Sequence, residues 1–274
     1  MRDGLRLVRA GNLFIAAAGA CAGGWIALGV LALPKLLVFA ALSGVGLGAA
    51  GNALNDLADV AADRVNRPGG ARPLAAGRLS RHTAEGVVFG GALLGLATAG
   101  LVSGTQVLVA LGALAVMALY SPWLKPRGLP GNTAVALIAG LPPVYGSLAV
   151  GAPAAGLVPW ALAAWLHFAR EIVKDLDDEP GDRAAGRRTL PVALGADRAR
   201  RVAWSLLLAF IPLSVLLPLA AGYAAWYFAL AVIAQLITVW TALQLRRGRL
   251  AGASGLLKAA MVAGLAALVL GRIV

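Results

Sequence analysis

Nine apolar runs, each about 18 to 23 residues long, divide the 274-residue chain and constrain its fold more than any other feature. A helix of about 20 residues crosses the roughly 30 Å hydrocarbon core of a bilayer. With 60% hydrophobic residues, the chain is also more apolar than a soluble domain. We therefore predict an all-α integral membrane protein. The predicted spans cover residues 12–33, 36–55, 83–102, 104–121, 131–150, 154–172, 199–220, 223–245 and 254–272.

The basic residues indicate an orientation. Of the 24 lysines and arginines, all but Lys35 and Arg272 precede the first span or lie around the links after spans two, four, six and eight. The positive-inside rule then places the amino terminus and these links in the cytoplasm and the carboxyl terminus outside. We predict a multi-pass protein of the cell membrane. In so apolar a chain, the net charge of +12 indicates topology and contact with membrane lipid head groups or phosphates, not a nucleic acid partner.

An acidic stretch follows the second span. Asp56, Asp59 and Asp63 have offsets of 0, 3 and 7 residues, which on one helix place three carboxylates within an arc of about 60°. Carboxylates this close repel each other unless a positive group lies between them. Mg²⁺ suits such hard oxygen ligands and often bridges to phosphate oxygens. The alternative is a solvated acidic helix end.

A second acidic stretch follows the sixth span. Asp175, Asp178 and Asp182 repeat the same offsets, and nine of the 12 acidic residues lie in the two stretches. This concentration favours a binding site over a solubilising surface. Pro180 and Gly181 predict that the helix ends or bends before Asp182.

The two stretches carry a family resemblance. Asn55 to Asp63 fit the motif NDxxDxxxD, and Lys174 to Asp182 fit KDxxDxxGD. With the arginine-rich run at 66–80 and the run YSPWLKPRGLPGN at 120–132, the sequence resembles the UbiA superfamily of intramembrane prenyltransferases over roughly residues 9–195. The resemblance implies one domain over residues 1–274, with nine transmembrane helices around a central cavity and polar cap loops on the cytoplasmic side.

The resemblance also implies the chemistry. Two Mg²⁺ ions held by aspartates would bind the diphosphate of a prenyl donor, and basic side chains would help as pyrophosphate leaves. The implied metal ligands and catalytic residues are Asp56, Asp59, Asp63, Asp175, Asp178 and Asp182. The implied diphosphate contacts are Asn12, Asn55, Arg67, Arg72, Lys125 and Lys174.

Further polar and aromatic residues have two interpretations each. Tyr120 is an interfacial aromatic, or it stabilises the allylic cation or handles a proton as a catalytic residue. His167 lies within a span and is a site candidate or a packing histidine. Asn52 is a partner of the aspartates or a packing residue that makes an interhelical hydrogen bond. Asn12 has the same packing interpretation beside its implied contact with the diphosphate. The lone Cys21 excludes an intramolecular disulfide.

The acceptor is indicated by the run REIVKDLDDEPGDRAAGRRTLP. It resembles the archaeal-lipid branch of the family, which transfers a geranylgeranyl group to the hydroxyl of geranylgeranylglyceryl phosphate. The segment Leu-Asp-Asp-Glu-Pro departs from the usual form of that branch. Arg183, Arg187 and Arg188 are candidates for the acceptor phosphate, and Trp123 with Tyr120 could stack on an aromatic acceptor instead.

Three other functions stay open at this point. They are prenylation of an aromatic acceptor, such as a quinone precursor or 4-hydroxybenzoate, a membrane-embedded terpene cyclase, and a transporter or channel. A cyclase would keep both aspartate motifs. A transporter is disfavoured, because the acidic residues lie at span ends and not at the middle of the bilayer.

Overall fold

The computed structural model describes residues 2–67 and 70–273, and every regular element in this part of the chain is helical. The α-helices are α1 Arg2–Leu7, α2 Ala10–Leu28, α3 Lys35–Ala58, α4 Val60–Asn66, α5 Arg81–Gly100, α6 Gly104–Leu119, α7 Leu129–Gly140, α8 Pro142–Ala149, α9 Leu157–Ala184, α10 Leu190–Leu194, α11 Ala196–Ala220, α12 Ala225–Arg246 and α13 Ala253–Ile273.

The predicted all-α membrane fold is confirmed. Within the described residues, seven helices are long and apolar enough to cross a membrane, namely α2, α3, α5, α6 with its continuation to Arg127, α11, α12 and α13. The predicted sixth span lies in α9, whose 28 residues include a strongly charged carboxyl-terminal half.

The predicted fifth span, 131–150, is not one helix. It is divided into α7 and the eight-residue α8, which begins at Pro142. Pro142 and Pro143 lack backbone N–H groups and crowd the preceding turn, which favours a break in the helix at this pair. The count of nine spans remains a prediction.

Small residues let the helices approach closely. A Cβ added to Gly46 on α3 would lie 2.6 Å from the carbonyl oxygen of Gly91 on α5, so the two backbones are in contact there. Such close approach is a common basis of helix association in membranes. The largest buried apolar cluster lies between α9, α11, α12 and α13 and includes Ile172, Leu207 and Leu257.

Helix α9 does not end at Pro180. The sequence predicts that Pro180 and Gly181 end or bend the helix before Asp182. The predicted end is wrong, because α9 continues to Ala184. The Asn66 side chain on α4 accepts a hydrogen bond from the Gly181 N–H (2.7 Å) and donates one to the Asp178 carbonyl (3.1 Å). This tertiary contact supports the backbone around the proline.

Candidate active site

A change of helix direction positions the first aspartate motif. Helix α3 ends at Ala58, Asp59 has φ −98° and ψ 4°, and α4 begins at Val60. Asp56, Asp59 and Asp63 are only 1%, 6% and 8% exposed. Burial of three carboxylates excludes the alternative of a solvated acidic helix end.

Two arginines face the outer pair of carboxylates in this motif. Arg9 Nη2 lies 2.6 Å from Asp56 Oδ1. Arg72 lies 3.4 Å from Asp56 Oδ1 through Nη1 and 3.6 Å from Asp63 Oδ2 through Nε. Arg9 is the one non-glycine residue in the described chain with a left-handed backbone (φ 52°), a conformation that costs about 1–3 kcal/mol. The link between α1 and α2 therefore holds strain beside the site.

Asp59 faces a different pair of cations. Lys125 Nζ lies 2.6 Å from its Oδ2, and Arg187 Nη2 lies 2.6 Å from its Oδ1. Burial alone would raise the pKa of the Asp59 carboxyl, but Lys125 and Arg187 outweigh burial and hold that pKa below its ordinary value. Asp59 is therefore charged throughout the neutral pH range.

The second motif is held from several elements. Asp175 Oδ2 accepts a hydrogen bond from Asn132 Nδ2 on α7 (2.9 Å). Asp178 Oδ1 lies 2.7 Å from Arg67 Nη2, and Asp182 Oδ1 accepts a hydrogen bond from Arg187 Nη1 (3.0 Å).

Arg187 and Asn66 join the two motifs. Arg187 binds Asp59 and Asp182, which are 123 positions apart in the chain. Asn66, at the end of the helix that carries Asp63, binds the backbone of the second motif at Asp178 and Gly181. The two motifs therefore form one site.

The chemistry of the donor set suits a hard divalent cation, but the spacing of the carboxylates in the described residues does not bring three of them to one point. Asp56 Oδ2 and Asp182 Oδ2 are buried and have no hydrogen-bond partner, and carboxylate oxygens are the ligands that Mg²⁺ prefers. The carboxylates of the first motif are, however, held by separate cations. Arg9 and Arg72 pair with Asp56 and Asp63, whereas Lys125 and Arg187 pair with Asp59. Within residues 2–67 and 70–273, no three His, Cys, Asp or Glu side chains lie close enough together to hold a metal ion.

A cavity of about 530 Å³ extends from this polar cluster into the helix bundle. Its polar end includes Arg9, Arg72 and Lys174, and its walls are mostly apolar, with Leu47 and Met117 among the lining residues. Helices α2, α3, α6, α9 and α13 all contribute to it. The combination suits a ligand with a charged head and a long apolar tail.

Part of the predicted site lines this cavity. The predicted residues on the lining are Asn12, Asn55, Arg72, Tyr120 and Lys174. The described lining does not include Arg67, Lys125 or any of the six motif aspartates. Among these aspartates, Asp56 and Asp63 are the two that pair with a lining cation, Arg9 or Arg72. Tyr120 is 8% exposed and begins a π-helical turn, Tyr120–Leu124. Such turns are frequent at functional sites.

Several other expectations are now decided by contacts. Trp123 is 61% exposed and is absent from the described cavity lining, so it offers no stacking surface there. Arg187 is not a spare cation, because two aspartates already engage its guanidinium, and its contact with an acceptor phosphate remains a prediction. Arg183 pairs with Glu179 on the surface.

His167 and Asn52 line the cavity, as their interpretation as site candidates requires. The Asn52 side chain donates to the carbonyl of Val8 (2.9 Å), so this asparagine also ties α3 to the segment before α2.

Sequence reasoning missed Asn66, Asn132 and Lys258 as parts of the site. Lys258 Nζ donates to Asn12 Oδ1 (2.7 Å), although the two residues lie at opposite ends of the chain. Its position inside a predicted span was a usable signal, because an intramembrane lysine marks a functional site by default. Nothing in the local sequence distinguishes Asn66 or Asn132.

Comparison with known proteins identifies the family. The model of the UbiA prenyltransferase family matches residues 14–270. The chain is 39% identical to digeranylgeranylglyceryl phosphate synthase of Thermococcus sibiricus over 196 residues, which cover 70% of this chain and 67% of that protein. It is 36% identical to the synthase of the same name from Halobacterium salinarum over 277 residues, which cover 98% and 97% of the two chains.

Solved structures share the fold. A UbiA homolog from Aeropyrum pernix K1 in its apo form matches with a TM-score of 0.83 at 21% identity, over 95% of this chain and 98% of that one. A UbiA homolog from Archaeoglobus fulgidus bound to GPP and Mg²⁺ matches with a TM-score of 0.72 at 22% identity, over 97% and 99%. With the family match and the identities above, these results show that the chain belongs to the UbiA prenyltransferase family and is a multi-pass membrane enzyme.

Proposed function

We propose that this enzyme transfers a geranylgeranyl group from its diphosphate to the hydroxyl of geranylgeranylglyceryl phosphate, in a Mg²⁺-dependent reaction of ether-lipid synthesis. The observation that carries this proposal is the mostly apolar cavity of about 530 Å³ whose lining includes one residue of each motif, Asn55 and Lys174. The names of the relatives from Thermococcus sibiricus and Halobacterium salinarum support the acceptor.

The aspartates are assigned to metal binding. Asp56, Asp59 and Asp63 would hold one Mg²⁺, and Asp175, Asp178 and Asp182 would hold a second. When bound, the metal ions neutralise the diphosphate and stabilise the charge that develops on the leaving group. The solved Archaeoglobus fulgidus homolog bound to GPP and Mg²⁺ supports Mg²⁺ as the metal.

The basic and amide side chains are assigned to the diphosphate. Arg72 and Lys174 line the cavity and are placed to contact its oxygens, with Asn12 and Asn55 beside them. Arg67 and Lys125 pair with Asp178 and Asp59, so they reach the diphosphate next to the carboxylates that they hold.

The transfer itself exchanges one C–O bond for another. The bond between C1 of the prenyl group and the diphosphate oxygen breaks, the acceptor hydroxyl oxygen bonds to C1, and the hydroxyl releases its proton as pyrophosphate leaves. The apolar walls hold the prenyl chain and keep water from the allylic cation. Tyr120, at the polar end of the cavity, is placed for its ring to stabilise that cation.

The membrane orientation belongs to the same proposal. The cavity lining includes Arg9, from the basic segment before the first span, and Arg72, from the basic loop after the first motif. The positive-inside rule directs these basic segments, and the site with them, to the cytoplasm of the cell membrane. The charged head groups of donor and acceptor then enter from the cytoplasmic surface while their tails stay in the bilayer.

A turnover assay in liposomes tests the proposal. We expect geranylgeranyl diphosphate, Mg²⁺ and geranylgeranylglyceryl phosphate to give the diether, and EDTA to stop the reaction. A parallel panel contains 4-hydroxybenzoate and other aromatic acceptors, and one reaction without acceptor. Transfer only to an aromatic acceptor, or pyrophosphate release with a cyclic product and no acceptor, would overturn the acceptor assignment.

A further inference from the structure

One wall of the cavity carries more positive charge than its neighbours balance. Arg170, Glu171 and Lys174 on α9 and Lys258 on α13 all line the cavity. Three cations therefore face a single carboxylate. Charged groups in a membrane-embedded cavity are costly unless they are paired, so this imbalance points to a bound anion.

The contacts identify which cations are in excess. Lys174 Nζ lies 2.6 Å from Glu171 Oε2, which makes these two a close ion pair. Arg170 Nη1 is more distant from Glu171 Oε1, at 3.4 Å, and Arg170 Nε donates to the carbonyl of Ser254 (3.2 Å). Glu171 can neutralise one of its two neighbours, and Lys174 is the nearer.

Lys258 has a neutral partner. Its ammonium donates to the Asn12 amide oxygen, and among the described residues no carboxylate lies within 4.0 Å of it. Arg170 and Lys258 thus leave two positive charges without a carboxylate of their own. Neither is an ion-pair partner of a motif aspartate, whose cations are Arg9, Arg67, Arg72, Lys125 and Arg187.

We propose that Arg170 and Lys258 bind the phosphate monoester of the acceptor lipid. A phosphate monoester carries about 1.5 to 2 negative charges at neutral pH, which matches the two unbalanced cations. A guanidinium and an ammonium together supply several charge-assisted hydrogen bonds to phosphate oxygens. This inference rests on the proposed function, and it gives the donor and the acceptor separate anion sites within one cavity.

Paired acceptors test the proposal. The assay compares geranylgeranylglyceryl phosphate with the same glycerol ether lacking the phosphate, using wild-type enzyme and Lys258→Gln. We expect the wild-type preference for the phosphorylated acceptor, measured in kcat/KM, to fall by about tenfold to a hundredfold in Lys258→Gln, with an increase in acceptor KM and no change in donor KM. Lys258→Arg keeps the charge and should keep the preference. Lys35→Gln, at an exposed position outside the described lining, is the matched control.

Three results would overturn it. The first is a Lys258→Gln enzyme that prefers the phosphorylated acceptor as strongly as wild type does. The second is a Lys258→Gln enzyme in which the donor KM rises and the acceptor KM does not, which would assign Lys258 to the donor diphosphate. The third concerns binding to wild-type protein in EDTA, where a metal-bridged donor site is inactive. We expect the phosphorylated acceptor to bind at least about tenfold more tightly than the phosphate-free one, and equal affinities would contradict the proposal even if the variants do not fold.

Failure of the proposed function has a different result. A wild-type enzyme that makes no diether from either acceptor refutes the acceptor assignment itself. Diether formation by wild type with an unaltered preference in Lys258→Gln refutes the acceptor-phosphate site and leaves the proposed function standing.

Discussion

Each motif aspartate faces a cation or an amide, but the degree of burial differs widely. Asp59 and its partners Lys125 and Arg187 have side chains that are only 8%, 12% and 10% exposed. The pair of Asp178 with Arg67 is more open, with side chains 20% and 34% exposed. A substitution at Asp178 should therefore lower activity with little loss of stability, whereas a substitution at Asp59 should lower both.

We expect Asp178→Asn to lower turnover by about 100-fold or more, because it removes a carboxylate assigned to the Mg²⁺ that would neutralise the leaving diphosphate. Its free energy of unfolding should change by less than about 1 kcal/mol, since partly exposed ion pairs contribute little. Turnover in liposomes and thermal unfolding in detergent measure the two effects. Asp197→Asn, at an exposed carboxylate of α11, is the control and should leave both unchanged. Full activity in Asp178→Asn would remove this residue from the site.

Asp59→Asn should lose activity and stability together. The change leaves the ammonium of Lys125 and the guanidinium of Arg187 buried without their shared carboxylate, which costs about 3–5 kcal/mol. Denaturant unfolding in detergent compares the variant with Asp178→Asn. Equal stability of the two variants would contradict the contrast in burial.

The identity of the acidic residues could be predicted from the sequence, but their partners could not. The spacing of Asp56, Asp59 and Asp63 predicts three carboxylates on one helix face, but α3 ends at Ala58 and α4 begins at Val60, so they lie on two helices and the break between them. The roles of Arg187 and Asn66 arise from contacts across more than 100 residues, and no local pattern encodes such contacts.

At the scale of helices, the contact between α4 and α9 fixes the two motifs relative to one another. A Cβ on Gly181 would lie 2.6 Å from the carbonyl oxygen of Ala62, which is too close for the helices to keep their present separation. Gly181→Ala should therefore displace the second motif, reduce turnover by about tenfold or more and lower the melting temperature.

The matched control for this prediction is Gly255→Ala. Gly255 lies in α13 with open space around the position of an added Cβ, so alanine should be neutral or stabilise the helix by about 0.5–1 kcal/mol. Turnover and thermal unfolding of both variants check the prediction. A Gly181→Ala enzyme as active as wild type would show that the α4–α9 contact does not position the motifs.

Helix α3 offers a test of the tail cavity. Gly44 lines the cavity, and a Cβ added there would have no other atom within 4 Å, so Gly44→Leu should project into the space for the prenyl chain. We expect kcat/KM for geranylgeranyl diphosphate to fall by about tenfold or more, with a smaller loss for geranyl diphosphate. Gly90→Leu on the exposed face of α5 is the control and should affect neither donor. An equal loss for both donors would contradict a role of this wall in holding the tail.

Helix positions are largely predictable, and the exceptions have local causes. Long apolar runs predict α2, α3, α5 and α6 within a few residues, because the length of a span follows from bilayer thickness. The break at Pro142 is signalled by a proline pair, which apolar content alone does not register. The continuation of α9 past Pro180 is accompanied by the hydrogen bonds of Asn66, a contact that local propensity could not predict.

For the whole molecule, the distribution of basic residues predicts the topology. In a Cys21→Ala background, Ala185→Cys would lie in the loop after α9 and Ala221→Cys in the link after α11, and both positions are exposed. A membrane-impermeant thiol reagent should label Ala221→Cys in intact cells and Ala185→Cys only after permeabilisation. The reverse pattern would place the active site on the outer face.

The central claim is that both aspartate motifs hold metal ions on the diphosphate of one prenyl donor. The most direct measurement is the number of Mn²⁺ ions, as a paramagnetic substitute for Mg²⁺, bound per protein in the presence of an unreactive geranylgeranyl thiolodiphosphate. We predict about two ions for wild type and fewer for both Asp56→Asn and Asp178→Asn, with no tight binding of the analogue in EDTA. Unchanged ion numbers in both variants, or equally tight binding of the analogue without metal, would contradict the account.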